Sequence, residues 1–207
     1  DTIPGNRWFE NCINTIKEHD GLLGTRGLRY MSPKRYHPFE HYGWGNPNEE
    51  TIQVDIVGHA WFFRREHLAI FWSEMPPQDA SKIAGEDIHF SYMLQKFGLG
   101  TYVPPHPQDD LSLWGSLPEY GKKIGTDENA ISSNQMALSR FDVALQYYTN
   151  KGFLLYYRDN IKLTKKIIIG PGVRGNKVIR NLVNKNPKIK ASAKWILTKL
   201  ERIGIHI

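Results

Sequence analysis

The chain has 207 residues, of which 40% are hydrophobic and 12% aromatic, which is enough to bury the core of one ordinary domain with an appendage. Its single cysteine, Cys12, excludes an internal disulfide. No run of about 18 apolar residues is present, which argues against a helix that spans a membrane.

The net charge of +6 is unevenly distributed along the chain. Residues 158–207 carry 13 Lys and Arg against 2 acids, whereas residues 1–157 carry 14 against 19. Such a basic tail is expected either to dock as a helix on its own domain or to contact an anionic membrane surface. Nucleic acid is the weakest alternative, because the lysines come without a recognised fold or interleaved aromatic residues.

The first third of the chain is predicted to contain a helix, an extended segment, a long loop and a strand. The helix covers residues 7–19, and residues 22–31 are extended. Residues 32–50 are rich in Pro, His, Gly, Asn and Tyr and read as a loop, and alternation predicts a strand over residues 51–57. The predicted inward face of the helix consists of Phe9, Cys12, Ile13 and Ile16.

The rest of the chain alternates helices with loops. Helices are predicted over residues 65–72, 86–97 and 132–150, with a short strand over residues 101–103. Beyond residue 157, Gly170-Pro171-Gly172 is typical of a hinge, and residues 176–183 and 188–203 read as basic helices. These patterns divide the chain into a domain over residues 1–157 and a basic helical extension over residues 158–207.

Three short blocks of sequence occur in an order that carries a resemblance to a known enzyme family. They are Asp1-Thr2-Ile3-Pro4-Gly5, Val54 to Phe63, and Gly85-Glu86-Asp87-Ile88-His89-Phe90. In this order they resemble nucleotide-sugar glycosyltransferases with the glycosyltransferase A fold, both family 2-like and exostosin-like. The resemblance covers residues 1–155 and implies an α/β, Rossmann-like domain, of which this chain would be the acceptor-side, C-terminal half. It also implies an N-terminal truncation at the Asp-Asp-Asp motif of that family.

Asp1 and His106 are the candidate cofactor-binding residues. The resemblance implies that Asp1 is the last carboxylate of the Asp-Asp-Asp motif and a metal ligand. Mn²⁺ or Mg²⁺ is the implied cofactor, since such hard cations commonly bind one or two carboxylates together with substrate phosphates. His106, in Pro104-Pro105-His106-Pro107, could contact the metal, the diphosphate or the acceptor. A rigid polar turn is the alternative for His106.

Glu86 and Asp87 are the candidate catalytic residues. The resemblance implies that Asp87 is the general base toward the acceptor hydroxyl if the enzyme inverts configuration, with Glu86 supporting it or orienting the acceptor. The alternative is that both acids only complement the dipole of the helix that they begin. A glycosidase is disfavoured, because adjacent helical residues diverge by about 100° and cannot easily flank one glycosidic bond.

Four residues are candidates for substrate binding, namely His59, Trp61, Trp114 and Trp44. His59 and Trp61 follow the predicted strand, where small residues would let a sugar approach the backbone; a buried strand with a bulge is the alternative. Trp114 could stack on the face of a sugar. Trp44 belongs to an aromatic loop over residues 36–46, which is either an acceptor lip or a packed lid.

The sequence therefore predicts a metal-dependent glycosyltransferase that moves a sugar from a nucleotide-diphosphate donor, with a UDP-sugar favoured, to a hydroxyl of a glycan-type acceptor. A non-catalytic carbohydrate-binding or scaffold module, using Trp44, Trp61 and Trp114, is the alternative. A membrane-associated partner that acts through the basic tail is a third hypothesis. The expected location is the cytoplasm, with peripheral contact at a membrane through that tail. The donor sugar, the acceptor and the stereochemistry stay open.

Overall fold

The computed structural model describes residues 2–75, 85–121, 135–157 and 159 and has a mixed α/β fold, as the sequence predicts. The predictions for Asp1, for the hinge at 170–172 and for the helices of the basic extension fall outside the described residues. Within the described part of the chain, no helix has the length and apolar character needed to cross a lipid bilayer.

One small sheet has the strand order β1-β6-β4. Strand β1 (Gly21–Leu23) pairs in parallel with β6 (Gly100–Val103), and β4 (Ile52–Gln53) pairs antiparallel with β6. Strands β1 and β6 are buried over their whole length, which is typical of strands that are covered on both faces. The predicted strand at residues 101–103 is confirmed.

A second sheet is antiparallel and has the order β3-β2-β5. Strand β2 (Arg26–Tyr30) pairs with β3 (Phe39–Gly43) and with β5 (Ile56–Gly58). The prediction of an uninterrupted loop over residues 32–50 is wrong at β3. Its sequence, Phe-Glu-His-Tyr-Gly, has little strand character of its own, and pairing along the whole of β2 organises it.

The single strand predicted over residues 51–57 is instead two short strands in different sheets. The chain passes between the sheets at Asp55, whose N–H donates to the carbonyl of Leu28 at 2.8 Å. Asp55 is 3% exposed, and its carboxylate accepts the N–H groups of Tyr30 and Tyr156, each at 2.7 Å. The buried side chain thus satisfies backbone donors that a continuous strand ladder would not reach.

The described helices are α1 (Trp8–Glu18), α2 (His67–Phe71), α3 (Glu86–Lys96), α4 (Pro118–Gly121) and α5 (Gln135–Asn150), with a 3₁₀ turn at Leu111–Leu113. Helix α3 is central. It packs on β1, β5 and β6 and against α2 and α5, and its residues from Ile88 to Gln95 are all buried. A helix that is buried nearly all round belongs to a core.

Helix α1 forms where the sequence predicts it, but its inward face is different. Phe9 is 64% exposed and Ile13 46% exposed, whereas Trp8 and Asn11 are buried with Cys12. The amide of Asn11 donates to two backbone carbonyls, those of Pro105 at 2.7 Å and Leu113 at 2.9 Å. This polar anchor turns the helix away from the orientation that hydrophobicity alone predicts.

Two apolar clusters meet on α3 and fix its position. Ile88 and Met93 belong to a cluster with β2 and α5, and Phe90 and Leu94 belong to a second cluster with β1 and β6. Burial of each such side chain stabilises the fold by about 1.5–3 kcal/mol. The first turn of α3, which carries Asp87, is therefore part of a rigid element.

Candidate active site

The candidate site lies at the carboxyl ends of the parallel strands β1 and β6, the edge where open α/β sheets bind ligands. Residues 24–25 follow β1, and residues 104–106 follow β6. The N-terminal segment, residues 3–5, runs along the same edge and is held by backbone hydrogen bonds to Trp114 and Leu117, each at 2.8 Å. Segments that are distant in sequence therefore meet at this edge.

His106 is fully buried at this edge, and both of its ring nitrogens have protein partners. Nδ1 lies 2.8 Å from the carbonyl oxygen of Pro104, so Nδ1 carries the proton and donates it. Nε2 then accepts the N–H of Gly115 and the hydroxyl of Thr25, both at 3.1 Å. Burial lowers the pKa of His106 to about 4, so the ring is neutral at pH 7. In this arrangement His106 ties the ends of β1 and β6 together and has no lone pair left for a metal.

Trp114 and Trp61 both use their indole N–H inside the protein. Trp114 is 3% exposed and donates to the carbonyl of Pro107 at 2.6 Å. Trp61 is half-buried, donates to the carbonyl of Val57 at 2.9 Å and packs edge-on against Phe90. The ring of Trp114 is therefore covered, whereas Trp61 keeps part of its surface exposed.

Trp44 occupies the corner of a tight turn that follows β3. Gly43 and Asn46 exchange backbone hydrogen bonds at 2.8 Å, and Gly43 and Gly45 have φ of +84° and +82°. The N–H of Trp44 donates to the carbonyl of Thr25 at 2.8 Å. A Cβ on Gly43 would lie 2.2 Å from the same carbonyl oxygen, so only glycine allows this close approach.

His59 lies on the kink that the sequence predicts after β5. His59 and Ala60 have φ of +58° and +41°, in the left-handed region that side-chain-bearing residues rarely adopt. The His59 side chain is exposed, and its ring centroid lies 6.1 Å from that of Trp44. Desolvation by neighbouring protein atoms, together with the charge of Arg26, lowers the pKa of His59.

Arg26 begins β2 beside these two residues. Its backbone pairs with Gly43 on one side and Gly58 on the other, and its guanidinium carbon lies 5.6 Å from the ring centroid of Trp44. Sequence reasoning did not single out Arg26. The available signal was an arginine directly after a buried strand and two small residues, in Gly24-Thr25-Arg26-Gly27.

Asp87 occupies the first turn of α3, as the sequence predicts for a candidate base. Its carboxylate accepts the N–H of Ile88 at 2.8 Å, and its side chain is half-buried whereas Glu86 is exposed. Burial raises the pKa of Asp87 to about 7, and the neighbouring charge of Glu86 raises it further. A helix start normally favours an ionised carboxylate, so desolvation outweighs the helix dipole here.

Two tyrosines that sequence reasoning did not assign to catalysis belong to the same neighbourhood. Tyr30 is 1% exposed, and its hydroxyl interacts with that of Tyr36. Its ring centroid lies 5.3 Å from that of Tyr36. Burial raises the pKa of Tyr36 and the charge of Asp87 raises it further, whereas the hydroxyl of Tyr30 and the charge of Arg26 lower it. Both charged groups thus act on the Tyr36 hydroxyl, which connects the Asp87 and Arg26 parts of the site.

The predicted metal ligand Asp1 lies outside the described residues. Within the described ranges, no three His, Cys, Asp or Glu side chains are grouped closely enough to hold a metal ion. Binding of Mn²⁺ or Mg²⁺ through Asp1 stays a prediction from the resemblance.

The sequence matches no protein-family model, and no curated protein is significantly similar to it.

Proposed function

We propose that this chain is the acceptor-side part of a nucleotide-sugar glycosyltransferase with a glycosyltransferase A-type domain, and that Asp87 is its general base. The observation that carries the proposal is the state of Asp87. Its carboxyl group is held on a rigid helix and has a pKa near neutrality, and the residue as a whole is only half-buried. A general base works best when its pKa lies near the operating pH.

The proposed step follows from that carboxylate if the enzyme inverts configuration. The acceptor O–H proton passes to Asp87 as the acceptor oxygen bonds to the anomeric carbon of the donor sugar. The bond from that carbon to the diphosphate oxygen breaks, and the nucleoside diphosphate leaves. The exposed Glu86 orients the acceptor, and the Tyr36 hydroxyl, which feels the charge of Asp87, adds a hydrogen-bonding group.

The location of the other candidates supports the same proposal. Trp44 and His59 lie at the carboxyl edge of β1 and β6, where α/β enzymes bind substrates. A divalent cation bound through Asp1 would neutralise charge on the leaving diphosphate. Contact of the basic extension with a membrane surface stays part of the proposal.

Trp44 also favours the second candidate function, a carbohydrate-binding module without catalysis. Its ring is partly exposed at a turn, as a sugar platform requires. That module was expected to use three tryptophans, and the burial of Trp114 removes one of the three platforms. The module gives no role to the half-buried carboxyl group of Asp87 at the start of α3, whereas the transferase uses it as the base, and we therefore favour the transferase.

The test is nucleotide release by the full-length protein. With Mn²⁺ and a panel of UDP-sugars and glycan acceptors, the wild type is expected to release UDP in an acceptor-dependent reaction. Asp87→Asn keeps the size of the side chain and removes the base, so turnover should fall at least about 100-fold. Binding of UDP, measured by calorimetry, should stay within about twofold of the wild type.

Asp109→Asn, at an exposed carboxylate, is the matched control and should keep full activity. Full turnover by Asp87→Asn would remove Asp87 from the mechanism. Glycan binding that is unaffected by a chelator, without any UDP release, would favour the binding module instead.

A further inference from the structure

A half-buried guanidinium beside the candidate site has no anionic partner among the described residues. The side chain of Arg26 forms no hydrogen bond or ion pair with them, and its described neighbours are the face of Trp44, the hydroxyl of Tyr36 and the rings of His41 and His59, none of which is anionic at neutral pH. Burial lowers the pKa of Arg26, but a guanidinium remains charged at neutral pH. Burying such a charge without a counter-ion is costly, and one aromatic face offsets only a part of that cost.

Two other arginines, Arg29 and Arg64, have partners for their guanidinium groups within the fold. Arg29 donates to the carbonyl of Gln53 at 2.8 Å and to the hydroxyl of Tyr42 at 3.2 Å. Arg64 pairs with Asp20 at 3.1 Å. The fold therefore supplies partners for arginines that brace its elements and leaves the donors of Arg26 unused.

A second donor without an acceptor lies next to Arg26. The indole Nε1 of Trp44 is buried and has no hydrogen-bond partner among the described residues. The other two candidate tryptophans each donate to a backbone carbonyl, at 2.6 Å for Trp114 and 2.9 Å for Trp61. A buried polar group without a partner is rare and marks either strain or a binding function.

The backbone around these donors is firmly held. Arg26 is paired with strands on both sides, and Trp44 is tied to the carbonyl of Thr25 at 2.8 Å. The ring of His59 stands beside Trp44 on a kink with positive φ. Rigid elements that hold unused donors lower the entropy lost when a ligand with oxygen acceptors binds.

We infer that Arg26 and Trp44, with the ring of His59 beside them, bind an anionic oxygen group of the substrate, either a phosphate or a carboxylate. The flat fork of the guanidinium matches both groups in a two-point contact. This inference rests on the proposed function for the identity of the substrate. The anion would belong either to the diphosphate of the donor or to an acidic sugar of the acceptor.

The test is the binding of two small anions to the full-length protein. Calorimetry measures this binding at low salt in the presence of a chelator. Inorganic pyrophosphate stands for the donor group, and glucuronate for the acceptor group. The wild type should bind at least one of them, and Arg26→Gln should weaken that binding by at least about tenfold. The anion affinity of Arg26→Lys should lie between those of the wild type and Arg26→Gln, because lysine keeps the charge and lacks the two-point geometry of the guanidinium.

Arg65→Gln removes a charge at an exposed arginine and is the matched control, with binding expected to equal that of the wild type. Circular dichroism and thermal unfolding would verify that each variant is folded, and Arg26→Lys serves if Arg26→Gln does not fold. Loss of pyrophosphate binding alone assigns the site to the donor, and loss of glucuronate binding alone assigns it to the acceptor. Wild-type protein that binds neither anion, or arginine variants that bind as well as the wild type, would overturn the inference.

The outcome is separable from that of the proposed function, because anion binding is measured without sugar transfer. Arg26-dependent binding in a protein that transfers no sugar would leave the anion site and reject the transferase. Sugar transfer by a protein whose anion binding does not depend on Arg26 would support the transferase and reject the anion site.

Discussion

Asp87 and Asp55 show how similar carboxyl groups differ in what they can do. Burial raises the pKa of both to about 7. Asp55 is 3% exposed, and its two carboxylate oxygens accept the N–H groups of Tyr30 and Tyr156. Asp87 keeps part of its surface exposed and accepts the N–H of Ile88. Asp55 is therefore enclosed by backbone, whereas Asp87 can still exchange a proton with a ligand.

The raised pKa of Asp87 has a consequence for stability that is independent of any substrate. The folded state binds this proton more tightly than the unfolded chain, in which the pKa is near 3.8. The stabilisation is complete below pH 3.8 and is lost as the pH rises through about 7. Asp87→Asn does not titrate, so between pH 5 and pH 8 it should gain on the order of 2 kcal/mol in unfolding free energy relative to the wild type.

Urea denaturation at a series of pH values would measure this difference. Asp109→Asn, at an exposed position, controls for the general effect of removing a carboxylate. A stability difference between Asp87→Asn and the wild type that does not change with pH would refute the raised pKa.

The depressed pKa of His106 has the opposite effect on stability, because the contribution of this residue is lost as the pH falls. His106→Ala removes the partner of the Pro104 carbonyl and of the Gly115 N–H and leaves a cavity between Trp8 and Trp114. We expect a loss of about 3 kcal/mol at pH 7.

The pKa of His106 is depressed to about 4 in the folded state from 6.5, so wild-type protein loses this contribution as the pH falls from 6.5 to 4. The deficit of His106→Ala, measured by chemical denaturation, should therefore shrink over that range. A deficit that stays constant would mean that the ring is not held neutral.

At the level of elements, the turn after β3 is built around glycine for two separable reasons. Gly43 and Gly45 both have positive φ, but only Gly43 also lies against the carbonyl of Thr25. A Cβ on Gly45 would have His41 Nε2 as its nearest neighbour, at 4.0 Å. The pair therefore separates backbone strain from steric exclusion.

Gly45→Ala should cost about 1 kcal/mol, because it adds only left-handed strain. Gly43→Ala should cost at least about 2 kcal/mol more, since the added methyl group overlaps the Thr25 carbonyl. Thermal unfolding of both variants would measure this. Equal losses in the two variants would show that the turn can move away from Thr25.

At the scale of the whole molecule, Asp55 joins parts of the chain that are far apart in sequence. It fixes Tyr30 in β2 and Tyr156 beyond α5 through two hydrogen bonds of 2.7 Å. Asp55→Ala would leave both N–H groups buried without an acceptor, and we expect a loss of about 3 kcal/mol. Asp55→Asn, which keeps one acceptor oxygen, should lose less.

Hydrogen exchange of the Tyr156 amide gives a local measure of the same contact. The amide should exchange faster in Asp55→Ala than in the wild type when the two proteins are compared under conditions that give them the same global unfolding free energy. Unchanged protection there would mean that other contacts hold this segment.

The extent to which sequence predicted this fold depended on how local each cause is. Helices α1, α3 and α5 and the place of Asp87 follow from periodicity and helix-start residues, which act within a few positions. Strand β3 and the break at Asp55 depend on partners far along the chain, so local pattern could not show them. Arg26 was missed because its distinguishing property is a missing partner, which only three-dimensional contacts reveal.

The parallel pairing of β1 with β6 also bears on synthesis of the chain. Residue Gly21 meets Gly100, so β1 emerges about 80 residues before its partner exists. At about 5–20 residues per second, the wait is on the order of 4 to 16 seconds. During that time the apolar strand edge of Leu22 and Leu23 is open to pairing with other nascent chains. The chain is thus most vulnerable to wrong pairing early in translation, when chaperone binding would protect the edge of β1. Slower synthesis would lengthen the time for which this edge is exposed.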